Sequence, residues 1–110
     1  MDIKIIVDKQ SELRMNDAAD KLKECCRNNA IKTHNKDILV IFSNNYNFVK
    51  EAVTKFPKNI TAINVTENLS EQHVINVLKY VTDICYLKTD VNTIATRIIN
   101  AYNKSKVGAR

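Results

Sequence analysis

The sequence has almost no glycine. Its single glycine, Gly108, lies near the carboxyl end, whereas an average domain of this length has about seven. Loops that cradle phosphates need glycine to bring backbone N–H groups close to the ligand, so the nucleotide-binding fingerprints of P-loop and dinucleotide-binding proteins are both absent. We therefore expect no nucleotide cofactor.

Cysteines and long apolar runs are also scarce. Cys25, Cys26 and Cys85 form neither a disulfide framework nor a zinc spacing, since no C-x-x-C or nearby histidine pair accompanies them. The longest apolar run, ILVIF, is far shorter than the ~20 residues of a membrane helix, and the amino-terminal end has no signal-peptide core. We expect a cytoplasmic protein with reduced cysteines, no cofactor, no metal site and no membrane contact.

The positive charge is confined to one end of the chain. Of 17 lysines and arginines, 13 precede residue 97, and the same part of the chain contains all 12 acids. The remaining four, Arg97, Lys104, Lys106 and Arg110, supply nearly all of the net charge of +5. The body is thus close to neutral and the carboxyl end is basic.

Apolar runs alternate with segments of helical period. The runs are IKIIV at 3–7, DILVIF at 37–42, ITAINV at 60–65 and ICYL at 84–87. DILVIF has the composition of a central strand, and the less apolar ITAINV is expected nearer a sheet edge. Four apolar stripes at helical spacing occur between or after the runs: Met15, Ala18, Ala19, Leu22, Cys25 and Cys26; Phe48, Val49, Ala52, Val53 and Phe56; Val74, Val77, Leu78 and Val81; Val91, Ile94, Ala95, Ile98, Ile99 and Tyr102.

This alternation predicts an α/β fold with a parallel sheet and helices on both faces. A chain of 110 residues fits one domain. We predict a small doubly wound sandwich of four strands, or five if IKTH at 31–34 joins the sheet. The domain is expected to span residues 1–102, followed by a basic tail at 103–110.

Polar residues follow every predicted strand. Asp8, Ser43, Thr66 and Lys88 come directly after, or at the end of, four separate apolar runs. The carboxyl ends of parallel strands meet at one edge of a sheet, where open α/β sheets bind ligands. Such residues are also ordinary helix caps and loop residues. An anion or phosphate crevice and simple capping therefore both remain open.

Three segments resemble response-regulator receiver domains, which have a flavodoxin-like, three-layer fold. IIVD, ITAINVTE and DICYLKTDVNTIATRII are similar to that family's first, fourth and fifth strand segments, best between residues 37 and 102. In the family, an aspartate after the third strand accepts a phosphoryl group beside Mg²⁺, and a hydroxyl and a lysine contact the phosphoryl oxygens. The resemblance implies the metal, hydroxyl and lysine roles for Asp8, Thr66 and Lys88.

The sequence departs from that pattern where the chemistry occurs. Phe42 stands at the phosphoacceptor position, and Ser43 and Asn44 beside it are not carboxylates. Asp8 is followed by Lys9, a cation that opposes Mg²⁺ binding. The resemblance therefore predicts a degenerate pseudo-receiver, in which any remaining crevice at Asp8, Ser43, Thr66 and Lys88 is vestigial.

Three functions compete. The first is a non-enzymatic regulatory or adaptor module that binds a protein partner or a second copy; the resemblance implies a face within residues 70–102, with Tyr86, Arg97 and Tyr102 as contacts. The second is weak nucleic-acid binding through Lys104, Lys106 and Arg110. The third is a phosphotransfer or small-anion site at the strand ends, with Asp37 or Ser43 as acceptor. The missing acceptor and the missing glycine loops favour the first.

Overall fold

The computed structural model describes residues 3–8, 13–28, 38–56 and 61–108. Strands and helices alternate along these residues in the predicted order. The strands are β1 (Ile3–Val7), β2 (Ile38–Phe42), β3 (Thr61–Thr66) and β4 (Asp83–Tyr86). The helices are α1 (Leu13–Asn28), α2 (Tyr46–Lys55), α3 (Glu71–Val77) and α4 (Val91–Gly108).

The strands form one parallel sheet in the order β1-β2-β3-β4. The register places Val7 beside Phe42 and Phe42 beside Val65, so the first three strands end level with one another. Their carboxyl ends therefore share one edge, as the parallel topology requires. This confirms the predicted α/β fold. The IKTH segment of the predicted fifth strand lies outside the described residues, and that strand stays a prediction.

Helices cover both faces of the sheet. On one face, α1 and α4 pack on Ile38, Val40 and Phe42 of β2. On the other, α2 and α3 pack on Leu39 and Ile41 of the same strand. Successive residues of a strand point to opposite faces, so a strand covered on both sides must be apolar throughout. The continuous ILVIF run satisfies that requirement, and all five residues are buried.

Most of the helical stripes lie where the sequence predicts them, and side chains cap the amino-terminal ends of three helices. The Asn45 side chain accepts a hydrogen bond from the first turn of α2, and Ser70 does so for α3. Asp90 accepts from the N–H groups of Asn92 and Thr93 in α4. Such caps satisfy N–H groups that have no partner within the helix. The predicted stripes of α1, α2 and α4 face the sheet.

The prediction that ITAINV lies near a sheet edge is wrong. Strand β3 is paired on both sides, with β2 and β4, and all six of its residues are buried. It tolerates polar side chains because they are hydrogen-bonded. The hydroxyls of Thr61 and Thr82 bond to each other, and the Asn64 amide bonds to backbone carbonyls of the neighbouring strand. The low mean apolarity of ITAINV therefore gave a wrong prediction, because β3 is a central strand whose buried polar groups are hydrogen-bonded.

The predicted stripe of α3 is also partly wrong. The helix ends at Val77, and Leu78, which the spacing placed in the stripe, is 51% exposed. The residues that face the sheet are His73 and Val77, and Val81 is buried beyond the end of the helix. A buried histidine thus lies on the inward face of α3, where the spacing predicted only apolar residues.

Helix α4 continues past Tyr102 to Gly108. The segment predicted as a basic tail therefore begins as helix, and the division of the chain at residue 102 stays a prediction. Among the described residues, no helix combines the length and apolarity that a membrane crossing needs.

Candidate functional site

The ends of β1 and β2 bring Asp8 and Ser43 together. The Asp8 N–H donates to the Phe42 carbonyl at 2.9 Å, and the Ser43 N–H donates to the Val65 carbonyl at 3.2 Å. These bonds extend the sheet by one residue, and the side chains of Asp8 and Ser43 are both buried there. The Ser43 Oγ donates to Asp8 Oδ2 at 2.9 Å and accepts from the Asn45 N–H at 2.9 Å. The carboxylate is thus bonded to a hydroxyl of its own chain, and it makes a further interaction as well.

Thr66, at the end of β3, is fully buried and also bonded internally. Its Oγ1 donates to Asn44 Oδ1 at 2.8 Å and accepts from the Asn68 N–H at 2.9 Å. The Glu67 N–H donates to the same Asn44 oxygen at 2.7 Å. Asn44 therefore joins the ends of β2 and β3. The sequence analysis noted only that Asn44 is not a carboxylate, because its role depends on the neighbouring strand.

Lys88 does not join these groups. Strand β4 ends at Tyr86, and Lys88 lies exposed in the turn that follows. It lines an open cleft of about 660 Å³ between α1 and the β4–α4 connection. The lining residues are Asp17, Ala18, Lys21, Glu67, Leu87, Lys88, Thr89, Asp90, Val91 and Ile94. Asp8, Ser43 and Thr66 are not among them, so the four residues predicted to form one crevice fall into separate groups.

Phe42, at the predicted phosphoacceptor position, belongs to the core. Its ring is fully buried on the face covered by α1 and α4. The next residues are Ser43, bonded to Asp8, and Asn44, bonded to Thr66. Residues 42–45 contain no carboxylate that could accept a phosphoryl group.

A second polar cluster joins β3 to α3. His73 is only 4% exposed, and its Nε2 lies 3.0 Å from Asn64 Oδ1. The Asn64 Nδ2 faces the carbonyls of Ile41 and Ser43 at 3.0 and 3.1 Å. Desolvation lowers the pKa of His73. The sequence analysis assigned His73 no role. The available clue was Asn64, an amide inside a strand run that had to find buried partners.

The predicted partner contacts have different environments. Tyr86 lies on the outer strand β4 and is 37% exposed. The Arg97 guanidinium is paired with Asp83, with Nε 3.0 Å from Oδ2 and Nη2 2.8 Å from Oδ1. This hydrogen bonding raises the pKa of Arg97. Tyr102 is half-buried and packs against the α1–α4 side. Of these three residues, Tyr86 is the one whose exposed side chain is neither ion-paired nor packed against the α1–α4 side.

Three exposed aliphatic residues lie in the connection before α3, on α3 and directly after it. Leu69, Ile75 and Leu78 are 52%, 54% and 51% exposed. Ile84 packs on the side of the sheet covered by α2 and α3, and Tyr86, two residues further along the strand, points to the same side. We call Leu69, Ile75, Leu78 and Tyr86 the α3–β4 face.

The cysteines and the basic end have no place in these clusters. All three cysteines are buried, and none forms a disulfide with another described residue. Burial raises the pKa of Cys26 and of Cys85 to about 11. The thiols of Cys26 and Cys85 are therefore protonated at neutral pH. The backbone at Lys104 and Lys106 belongs to α4, whereas Arg110 lies outside the described residues.

The strands, helices and strand-end residues together define a receiver-like α/β fold of the flavodoxin-like type. A solved structure with this fold is the crystal structure of a response regulator from Thermotoga maritima. It superposes with a TM-score of 0.67 at 10% sequence identity, over 94% of this chain and 99% of that chain. At that identity the likeness concerns the fold alone. No protein-family model and no curated protein matches the sequence.

Proposed function

We propose that this receiver-like domain is a non-enzymatic regulatory or adaptor module that acts through protein contacts and independently of phosphorylation. The observation that carries the proposal is the mutual bonding of the strand-end polar groups. Asp8 is bonded by Ser43, and Thr66 is bonded by Asn44.

Phosphoryl transfer at this edge would need groups that are free to bind. Mg²⁺ takes carboxylate oxygens, substrate phosphates and waters in a near-octahedral shell. Here the Asp8 carboxylate is 9% exposed and accepts a hydrogen bond from Ser43, and the Thr66 hydroxyl already donates to Asn44. Binding a metal or a phosphoryl group would require breaking these buried hydrogen bonds. In addition, Lys88 lies in another cleft and Phe42 lies in the core.

The contact surface we propose is the α3–β4 face. It consists of three half-exposed aliphatic side chains and Tyr86 of β4. No other described strand pairs with the outer edge of β4. An open strand edge offers backbone groups to a partner, and exposed apolar side chains add apolar area to such a contact. Of the predicted contacts Tyr86, Arg97 and Tyr102, this face includes Tyr86. Arg97 is paired with Asp83, and Arg97 and Tyr102 stay predicted contacts.

Phosphorylation independence is tested by intact mass. The purified chain is incubated with acetyl phosphate and Mg²⁺, with a phosphorylatable receiver domain as the positive control. We expect an unchanged mass for this chain. A phosphoadduct of one phosphoryl group would contradict the proposal, and mapping it to Ser43 or to Asp37 would revive the phosphotransfer alternative.

Protein contact is tested by sedimentation and photo-crosslinking. Sedimentation velocity of the purified chain detects association with a second copy. A photoreactive phenylalanine analogue at Tyr86, compared with one at the exposed Lys50 of α2, detects other partners in an extract of the source cells. We expect an adduct from position 86 only. A monodisperse monomer that gives no adduct from either position would contradict the proposal.

Nucleic-acid binding stays a second prediction with less support. Arg97, one of the four basic residues, is engaged by Asp83, which leaves three cations near the carboxyl end. Deleting residues 103–110 and measuring retention on DNA and RNA at two salt concentrations tests it. Retention that survives the deletion would exclude this part of the chain as the binding site.

A further inference from the structure

A cleft of about 340 Å³ lies between the start of α2 and the start of α3. We call it the α2–α3 cleft. Five carboxamide side chains line it, together with Tyr46, Ser70 and His73. A hydrogen bond with Tyr80 raises the pKa of Tyr46, and burial lowers the pKa of His73. The described lining side chains are therefore all uncharged at neutral pH.

Three asparagines of the cleft have their side-chain oxygens already bonded. Asn44 Oδ1 accepts hydrogen bonds at 2.8 and 2.7 Å from the end of β3 and from the residue after it. Asn45 Oδ1 accepts one at 2.8 Å from the first turn of α2, and Asn68 Oδ1 accepts one at 3.2 Å from the Ser70 N–H.

The amide nitrogens of these asparagines keep N–H groups to donate. The Nδ2 atoms of Asn44 and Asn45 make no hydrogen bond with a described residue. Asn68 Nδ2 makes one, to the Asn44 carbonyl at 3.3 Å, and retains a second N–H. These uncommitted groups are all donors, so they suit a ligand that is rich in acceptors.

His73 adds a buried nitrogen that has no partner. It lines the cleft and is only 4% exposed. Its Nε2 donates to Asn64 Oδ1, because the Asn64 amide nitrogen faces backbone carbonyls. The lone pair of the neutral ring is therefore on Nδ1, which makes no hydrogen bond with any described residue. A buried polar atom without a partner is costly, so this atom indicates a ligand from outside the chain.

The surroundings of His73 supply no counter-charge to a protonated ring. The amino-terminal end of α2, a helix of ten residues, contributes positive partial charge, and β3 contains no charged side chain. Burial alone lowers the pKa of His73. The charged side chains of the neighbouring elements and connections all lie outside the lining of the cleft: Asp8, Lys50, Glu51, Lys55, Glu67, Glu71, Lys79 and Asp83. A proton on Nδ1 can therefore be neutralised only by an anion in the cleft.

We propose that the α2–α3 cleft binds a small oxyanion together with a proton on His73. The oxyanion accepts hydrogen bonds from the Nδ2 groups of Asn44, Asn45 and Asn68, and His73 Nδ1 becomes a further donor when it is protonated. Neither the crevice predicted from the sequence nor the α3–β4 face contributes a residue to this cleft. The proposal is therefore independent of the proposed function, and either can fail without the other.

Binding should be tighter at lower pH. Protonation of Nδ1 adds a charged donor, and hydrogen bonds to charged groups are stronger than neutral ones. We expect roughly five- to tenfold tighter binding at pH 5.5 than at pH 7.5. Linkage is reciprocal, so the bound anion should also raise the pKa of His73.

The test is a titration of the full ¹⁵N-labelled chain with sodium sulfate at both pH values, followed by NMR. Sodium chloride keeps the ionic strength constant. Sulfate keeps its charge over this range, so a change in affinity belongs to the protein. We expect saturable shifts of the amides of residues 44–46 and 68–73, tighter binding at pH 5.5, and an imidazole titration of His73 that moves to higher pH when sulfate is bound.

Three variants assign the proton and the donors. His73→Gln keeps an N–H for Asn64 and cannot take up a proton, so it should bind sulfate equally at both pH values. Asn45→Asp keeps a capping oxygen for α2 and places a carboxylate in the cleft, so it should fold and bind roughly tenfold more weakly. Asn47→Asp is the matched control, with the same charge in the same turn but outside the lining, and should lose less than about twofold.

A comparison of inorganic phosphate with methyl phosphate separates two sources of the oxyanion. Both are mainly monoanions at pH 5.5. Similar affinities would identify the terminal group of a larger molecule as the ligand, whereas loss of binding with methyl phosphate would identify a free inorganic ion.

Several outcomes would overturn the proposal. One is equal sulfate affinity of the unaltered chain at the two pH values, which needs no variant. Another is a loss in Asn47→Asp as large as the loss in Asn45→Asp, or a pH dependence that persists in His73→Gln. Shifts confined to other parts of the chain, or no saturable shift at all, would also overturn it. Crosslinking from position 86 would be unaffected by any of these results.

Discussion

His73 of α3 and Asn64 of β3 are joined by a buried hydrogen bond of 3.0 Å between Nε2 and Oδ1. The orientation of the amide determines the tautomer. Asn64 Nδ2 donates to the Ile41 and Ser43 carbonyls, so its Oδ1 must accept, and His73 Nε2 must carry a proton. The pair therefore fastens the first turn of α3 to the two central strands. It also makes the stability of the domain sensitive to pH.

We predict that acidification destabilises the domain through His73. Burial lowers its folded-state pKa below the unfolded value of about 6.5. As pH falls below that value, the unfolded state takes up the proton first, so this part of the stability is complete above pH ~6.5 and is lost toward the folded pKa. None of the described residues that line the cleft at His73 carries a carboxylate that could pair with an imidazolium.

The measurement is the free energy of unfolding in urea at pH 7.5 and pH 5. His73→Gln keeps an N–H donor and should lose most of the pH dependence, whereas His34→Gln, the other histidine, should keep it. Equal pH dependence in the unaltered chain and in His73→Gln would contradict the prediction.

We predict that Asn64 and His73 are energetically coupled. Asn64→Leu leaves His73 Nε2 and two strand carbonyls without their side-chain partner, and each buried unsatisfied group costs about 1–3 kcal/mol. The single substitutions should each destabilise by about 2–4 kcal/mol. The double variant with His73→Leu should be less destabilised than the sum of the two, because both polar partners are then gone. Additive losses in the urea-unfolding cycle would show that the two side chains act separately.

We predict that Ser43 stabilises the buried Asp8 carboxylate. Ser43→Ala removes its hydrogen bond and should lower the free energy of unfolding by about 1–3 kcal/mol at neutral pH. Asp8→Asn, which replaces the charge by an amide, should reduce the effect of Ser43→Ala in the double variant. Thr96→Ala, at an exposed position of α4, is the control and should change the free energy by less than about 0.5 kcal/mol. A Ser43→Ala chain as stable as this control would contradict the prediction.

We predict that two adjacent residues at the end of α3, Val77 and Leu78, have separate effects, the first on stability and the second on association. Val77 is fully buried and Leu78 is 51% exposed. Val77→Ala should destabilise by about 2 kcal/mol, through lost apolar burial and a cavity. Leu78→Ser should change stability by less than about 1 kcal/mol, as expected at a surface position, and should weaken crosslinking from position 86. Strong destabilisation by Leu78→Ser would show that the side chain belongs to the core.

The sequence by itself determined the local parts of this structure. Strand and helix order follows from side-chain period, which is a property of neighbouring residues, and the caps at Asn45, Ser70 and Asp90 follow from side chains that reach N–H groups within their own segment. Because parallel strands point the same way, the placement of Asp8, Ser43 and Thr66 at one edge could also be predicted.

Only the tertiary structure decided which of these groups touch. Whether β3 is central depends on which strands flank it, and strand order is not encoded in local period. Asn44 reaches Thr66, and Asn64 reaches His73, because β2, β3 and α3 lie side by side in space. Lys88 lies outside the predicted crevice because β4 ends at Tyr86 and Lys88 belongs to the turn that follows. There it lines the cleft beside α1. Contacts between distant segments depend on packing of the whole chain, and periodicity within one segment cannot specify them.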